Sequence, residues 1–288
     1  MQDTPRRRAP KPFAREVKAP HPVEPAPSAD QPRRAEDQRH CGLNAVAALF
    51  EHRPASVQRL LYSERRKAEV GAWCKQLAAG RRPYRLLPEN ELAKVAGSIH
   101  HGGIVAIADP LRVAAFSPGT IAAGAAPGSP PVLVLDGVGN PQNFGAIARS
   151  AAYLGVRHLV LSTDPRQAYP SDAAIRVAEG ALELLSLWRA RDLPTALAAL
   201  GRHFTTLAAA LAPDGIVPDL VPQGRPVAIV LGNEEEGLAA ASIAACAHVV
   251  TIPGSGTVQS LNVGAAAAIL AWHFRAGVPA APTAGLPR

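Results

Sequence analysis

At 288 residues the chain has room for two modest domains and a tail, and a hydrophobic content of 48% is enough for a real core. No apolar run reaches the roughly 18 residues of a membrane span, and the N-terminus lacks the apolar block of a secretory signal. Cys41, Cys74 and Cys246 are odd in number and far apart, so they offer neither a disulfide framework nor a zinc site, and a reducing, cytoplasmic setting is expected.

The net charge of +7 points to a polyanionic partner, and its distribution is uneven. Residues 1–39 carry 9 Lys/Arg against 6 Asp/Glu, residues 40–125 carry 11 against 6, and residues 126–288 carry 10 against 11. The basic excess therefore lies wholly in the first half.

In chain order, residues 1–38 are rich in Pro, Arg and Ala with few large apolar residues, which predicts a disordered basic arm. Helical spacing from Gly42 to Phe50, followed by alternating segments as far as Ala108, predicts a small α/β domain over 39–113. The stretch Ser117–Pro131 (SPGTIAAGAAPGSPP) predicts a linker over 114–130. A second α/β domain over 131–277 follows. Its apolar runs Pro131–Asp136, Arg157–Ser162, Val227–Gly232 and His248–Ile252 predict buried strands of a mostly parallel sheet with both faces covered. Helices are expected from about Asn143 to Leu154 and from about Ser260 to Phe274, with residues 278–288 as a tail.

Three clusters in this second half could carry chemistry. In the first, Asp136–Gly155, Phe144, Ile147, Ala148, Ala151 and Leu154 share the core face of a helix capped near Asn143. Gly145 and Arg149 fall on the opposite face. A solvated surface arginine is the plain alternative, although the small residues Gly145, Ala146 and Ala152 leave room for a close approach. Gly137 and Gly139 lack the third glycine of a dinucleotide fingerprint, which argues against a nucleotide-binding oxidoreductase. In the second cluster, Leu231–Leu238 (LGNEEEGL) follows a strand at the edge where ligands of open α/β sheets bind. Gly232 would admit a ligand to the backbone and Glu234 could accept a proton or hydrogen bond. An acidic loop capping the next helix is the alternative. In the third, Ile252–Asn262 (IPGSGTVQSLN) places Ser260 and Asn262 at a helix start, where an ordinary N-cap at Ser260 is the competing reading. It lacks the lysine of a phosphate-binding loop. The adjacent His100–His101 has no third ligand at metal-binding spacing and reads as a turn.

The ordered trio resembles the motifs of the SpoU (TrmH-type) RNA 2′-O-ribose methyltransferases of the SPOUT superfamily. Asn143, Gly145 and Arg149 match N-x-G-x-x-x-R; Gly232–Leu238 matches G-N-E-x-x-G-L; Ile252, Pro253, Ser260, Leu261 and Asn262 match I-P followed by S-L-N. The resemblance covers about residues 131–275, and Ala173–Ala181 is similar to the family's stretch between the first two motifs. Residues 40–108 more loosely resemble its αβα substrate-binding domain, with His101–Gly102 in an H-x-G turn before the last strand. Gly254, where Met is common, and Gly264, where Ser often follows, depart from the pattern near the expected cofactor loop.

The resemblance implies a trefoil-knotted parallel-sheet domain and a homodimer with its site near the interface. It also implies transfer of a methyl group from S-adenosylmethionine to a ribose hydroxyl of structured RNA, rRNA or tRNA. Gly232, Ile252 and Leu261 would hold the cofactor, largely through backbone groups. Asn143, Glu234, Ser260 and Asn262 would orient the ribose. Arg149 is cast as general base in the family, but a guanidinium normally stays protonated. A clamp on RNA phosphate is the expected role, with Glu234 the rival for the proton. No metal is implied. The competing expectation is a non-catalytic RNA-binding or ribosome-assembly protein on the same scaffold.

Overall fold

The structure is a computed structural model and describes residues 37–212 and 215–275. Most of the expected basic arm and the whole expected tail lie outside the described residues.

The first domain comprises β1 (Gln38–Cys41), α1 (Leu43–His52), β2 (Val57–Tyr62), α2 (Gly71–Ala79), β3 (Tyr84–Leu86), α3 (Glu89–Ala96) and β4 (Ile104–Ala108). Its sheet runs β1-β4-β2-β3, antiparallel except for the parallel pair β2–β3. Strand side chains alternate between faces, so Leu60, Ile104 and Ala106 pack with Val46, Leu49 and Leu77 of α1 and α2. Leu61, Val105 and Ile107 pack on Leu92 and Ala96 of α3. The result is the αβα layering expected. His101 sits in the turn before β4, where its Nδ1 accepts a hydrogen bond from the Gly103 N–H at 3.1 Å.

The second domain contains β5 (Val113–Ala115), α4 (Pro118–Ala122), β6 (Val132–Asp136), α5 (Pro141–Tyr153), β7 (His158–Leu161), α6 (Asp172–Ala178), β8 (Ser186–Arg189), α7 (Leu193–Gly201), β9 (Thr205–Ala209), β10 (Val227–Gly232), α8 (Ala240–Ala244), β11 (His248–Val250) and α9 (Val263–Phe274). Among the described residues its sheet has seven strands, in the order β11-β9-β10-β6-β7-β8-β5, and every pair is parallel. Alternation again decides which side each residue feeds. Leu133, Leu135, Ile229 and Leu231 pack under α5 and α9; Val132, Val134, Ala228 and Val230 pack under α4 and α7. Parallel strands buried on both faces read as continuous apolar runs, which is why β6, β7 and β10 are visible in the sequence.

The segment 114–130, expected as a linker, is instead partly built into this domain. β5 closes the sheet edge beside β8, and α4 sinks Ile121, 1% exposed, into the core. Pro118 starts α4 at a position where its missing N–H costs nothing. Proline and glycine here mark helix boundaries rather than a free tether.

The two domains meet along a polar joint. The Arg39 backbone N–H donates to Asp172 Oδ1 at 2.9 Å, and the Gln38 side chain spans Pro170 O and the Leu111 N–H. Arg53, at the C-terminal cap of α1, makes a two-pronged ion pair with Glu183, whose side chain is completely buried. His40, 1% exposed, lies 3.7 Å from Glu183 Oε1, and among the described residues neither ring nitrogen has a hydrogen-bond partner. Burial outweighs the attraction of Glu183 and lowers the His40 pKa to about 4, so the ring is neutral there at pH 7.

Candidate active site

Because every strand of the second sheet points the same way, the segments following β6, β10 and β11 all emerge at one carboxyl edge. This is the usual ligand edge of such sheets. These are the three clusters singled out in the sequence.

After β6 the chain turns at Gly137 (φ 73°) and enters α5 through Asn140-Pro141. Asn140, rather than the expected Asn143, is the N-cap, and its side chain accepts from the Gln142 N–H at 2.8 Å. Pro141 preorganises the first turn. Asn143 is thereby freed from capping and lies within the first turn, with its side chain available to the site.

After β10 the loop doubles back. Asn233 and Gly237 exchange backbone hydrogen bonds of 2.9 and 3.0 Å, and the Asn233 side chain donates to Gly137 O at 2.8 Å. A Cβ on Gly232 would overlap the Gly237 carbonyl. The glycine is thus required by this fold-back, a different reason from the ligand approach expected of it.

Glu234 is the hub of the edge. It accepts from the Asn143 side chain at 2.7 Å and from the backbone N–H groups of Gly139 and Asn140 at 3.2 and 3.4 Å. Burial alone would raise its pKa, but these hydrogen bonds, led by that from Asn143, together hold it below the ordinary carboxylate value. The ionised carboxylate can only accept, so Asn143 must present its amide N–H to it and its oxygen to the other side. There the Asn262 side chain donates at 3.0 Å, while Asn262 Oδ1 accepts from the Gly264 N–H at 2.8 Å and caps α9. The cap at Asn262 rules out the competing reading of Ser260 as an ordinary N-cap.

Three of the five expected chemistry-bearing residues, Asn143, Glu234 and Asn262, thus form one directional hydrogen-bonded relay across all three clusters. The structure does not bring the other two into it. Ser260 is exposed and, among the described residues, makes no hydrogen bond to the relay. Arg149 pairs with Glu179 at 3.0 Å. Gly145, expected on an open face with Arg149, is buried because α6 occupies that face. A Cβ there would lie 2.6 Å from Ala174 O.

The rim also holds charged residues that belong to none of the three clusters. Arg166 bonds Asp164 through two nitrogens, both at 3.0 Å, and also pairs with Glu236. These hydrogen bonds hold Asp164 below the usual carboxylate range. The Asn-Pro pair at 140–141 was the available signal for the true start of α5.

The loop from Ile252 to Leu261 is exposed along most of its length and offers backbone groups to a ligand. Among the described residues, none of its backbone N–H or C=O groups pairs with another backbone group. Ile252 packs against the core, while Leu261 is 52% exposed as a free apolar surface. Gly254 has nothing within 4 Å of a would-be Cβ, so nothing in the structure requires glycine there. Gly264 is buried under the Asn262 cap and faces Ala146 of α5, so its lack of a side chain serves the packing of α9 on α5. Among the described residues no group of His, Cys, Asp and Glu could hold a metal ion, and no helix is long and apolar enough to cross a membrane.

The fold agrees with sequence comparison. The pattern of the SpoU rRNA Methylase family matches residues 130–272, and that of RNA 2′-O ribose methyltransferase substrate binding matches residues 41–114. Together they define an RNA ribose methyltransferase carrying its own substrate-binding domain. The chain is 31% identical over 231 residues to the 23S rRNA (guanosine-2′-O-)-methyltransferase RlmB of Nitrosomonas europaea, covering 79% of this chain and 87% of that protein. It is 30% identical over 247 residues to the uncharacterized tRNA/rRNA methyltransferase YfiF of Escherichia coli O157:H7, covering 83% and 68% respectively. In fold it is similar to the AdoMet-bound rRNA methyltransferase from Sinorhizobium meliloti, with a TM-score of 0.67 at 21% identity over 83% of this chain and 87% of the other. The chain belongs to the SpoU family of RNA methyltransferases.

Proposed function

We propose that this protein methylates a ribose 2′-hydroxyl of a structured RNA, rRNA or tRNA, at the carboxyl edge of the parallel sheet. The observation that carries the reading is the relay Asn262–Asn143–Glu234, which ties all three family motifs into one oriented polar surface beside a loop that, among the described residues, makes no backbone–backbone hydrogen bonds. An intact relay of this kind favours an enzyme over a retired scaffold.

The cofactor would be held by the backbone of Ile252–Leu261 and the end of β10 at Gly232, with the Ile252 and Leu261 side chains against its apolar parts. S-adenosylmethionine supplies an already activated methyl group, so the protein's work is to place the hydroxyl in line and to stabilise the negative charge it develops. Glu234 Oε2 accepts one hydrogen bond and retains capacity for another. It orients the ribose hydroxyl and takes its proton late, as the methyl group arrives. Arg149 grips an adjacent phosphate. Ser260 joins once RNA or cofactor orders the loop.

RNA capture falls to the basic first half. On the edge strand β3 all three side chains, Tyr84, Arg85 and Leu86, are exposed, which offers a stacking ring beside a guanidinium. A second copy of the chain packs on the groove between α5 and α9. There Tyr153 and Trp272 are 85% and 61% exposed beside Arg149, and small residues let backbones approach. The return of α9 onto α5 supports the knotted path expected of the family. The reducing cytoplasm suits the three free cysteines, of which Cys41 and Cys246 are pushed up by burial to about 11 and 12.

Arg149→Ala tests this reading. Turnover should drop at least about a hundredfold, the scale of losing one transition-state donor, with affinity for S-adenosylmethionine unchanged. Arg149→Lys should rescue only in part, because an ammonium lacks the planar fork. Normal turnover in the alanine variant would remove Arg149 from the mechanism.

A further inference from the structure

Glu179 is one of only two non-glycine residues with positive φ among the described residues, at φ 47° and ψ 43°, directly after α6. Its neighbour Gly180 is also left-handed, at φ 93°. Such a pair reverses the chain sharply, and glycine or asparagine would occupy the first position with less strain than glutamate. The Glu179 side chain is exposed, and its ion pair with Arg149 leaves both partners about half-exposed, at 45% and 57%. An exposed pair of that kind returns too little stability to repay the backbone conformation. Fold stability therefore gives no reason for a carboxylate at 179.

What surrounds the turn supplies one. Gly145 lets the backbone of α6 press against α5, and Arg149, four residues on and on the same helix face, is brought beside the end of α6. One carboxylate oxygen of Glu179 takes Arg149 Nη1 at 3.0 Å, and the other lies 3.5 Å from Asn44 Nδ2 on α1 of the first domain. Gly180 is clamped by that same helix: a Cβ there would lie 2.8 Å from Ala48 Cβ and 3.0 Å from Asn44 O. The left-handed turn is thus held by the substrate-binding domain on one side and presents its carboxylate to the arginine of the catalytic domain on the other.

We infer that Glu179 is a positioning residue for Arg149. It engages one corner of the guanidinium from a turn that α1 holds in place, and leaves the remaining N–H groups directed for an RNA phosphate. The inference rests on the proposed role of Arg149. It adds a route by which seating of the substrate-binding domain fixes the arginine's place in the other domain. Arginine suits this because its planar fork can serve a carboxylate and a phosphate at once.

The experiment uses the full chain, with a mixture of unmodified 23S rRNA and tRNA transcripts as methyl acceptor. Four variants are compared by turnover, by KM for the methyl donor and by thermal melting: Glu179→Asn, Glu179→Asp, Arg149→Ala and the double Glu179→Asn/Arg149→Ala. Asparagine tolerates the left-handed backbone, so Glu179→Asn should melt at or above the parent temperature. Its turnover should fall about tenfold at unchanged KM for the donor. Glu179→Asp keeps the charge and should recover part of that loss. The double variant should be no slower than Arg149→Ala alone, because Glu179 acts only through the arginine. Parent-like turnover in Glu179→Asn alongside a crippled Arg149→Ala would overturn the inference and leave the role of Arg149 standing. Additive losses in the double variant would also overturn it. Parent-like turnover in Arg149→Ala would instead defeat the underlying reading.

Discussion

At the scale of single residues, the site is governed by what a carboxylate can and cannot do. Glu234 accepts three hydrogen bonds and is held ionised, which orients Asn143 and, through it, Asn262. Its pKa is depressed in the folded protein, so its organising effect is complete above the ordinary carboxylate value and is lost only as pH falls through the lowered one. Methyl transfer should therefore show no inflection from Glu234 between about pH 6 and pH 8 and should decline only on the acid side. Glu234→Gln places an amide N–H against the N–H groups of Gly139 or Asn140, so turnover should drop by about tenfold or more, and the acid limb should disappear. A pH–rate profile of the two proteins checks both points. A rise through neutrality that survives in the glutamine variant would assign the proton to another group.

At the scale of elements, the apolar runs of β6, β7 and β10 and the core face of α5 are legible in the sequence, because burial on both sheet faces leaves no room for polar residues. Asn143, Glu234 and Asn262 are legible through the spacing of their motifs. What is hidden has physical reasons. The short strand β8 (SLWR) carries too few apolar residues to stand out, and β5 with α4 sits in a Pro/Gly/Ser-rich stretch where Ile121 is the main anchor. The Arg149–Glu179 pair depends on a left-handed turn that no periodicity reveals. The hidden elements have a measurable consequence. A fragment beginning near residue 110 keeps β5 and α4, whereas one beginning near residue 130 uncovers the edge of β8 and the site filled by Ile121. Loss of one large buried side chain alone costs about 2–5 kcal/mol. The longer fragment should melt cooperatively and the shorter one should melt well below it or aggregate. Equal melting temperatures would show that the segment is dispensable to the fold.

At the scale of the whole molecule, the joint between the domains is a buried polar contact carrying a neutral histidine. His40 is held neutral in the folded chain with a pKa of about 4 against 6.5 when free. Below pH 6.5 the unfolded chain takes up a proton that the folded one refuses, so stability present above 6.5 is lost as pH falls toward 4. The full effect is on the order of 3 kcal/mol. His40→Leu removes the titrating group, so urea unfolding at pH 7 and pH 5 should show a smaller loss in the variant than in the parent. An equal loss in both would mean that His40 takes no part in the acid sensitivity of the joint.

We propose that methyl transfer to RNA ribose takes place at the carboxyl edge of the parallel sheet. The most direct test is to incubate the purified protein with S-adenosylmethionine carrying a labelled methyl group and unmodified 23S rRNA and tRNA transcripts. The RNA is then digested to nucleosides and the labelled species are identified. The expected result is label in one 2′-O-methylated nucleoside from one of these RNAs, strongly reduced by Arg149→Ala and by Glu234→Gln. Label on a base, or label on ribose that persists at full level in both variants, would contradict it.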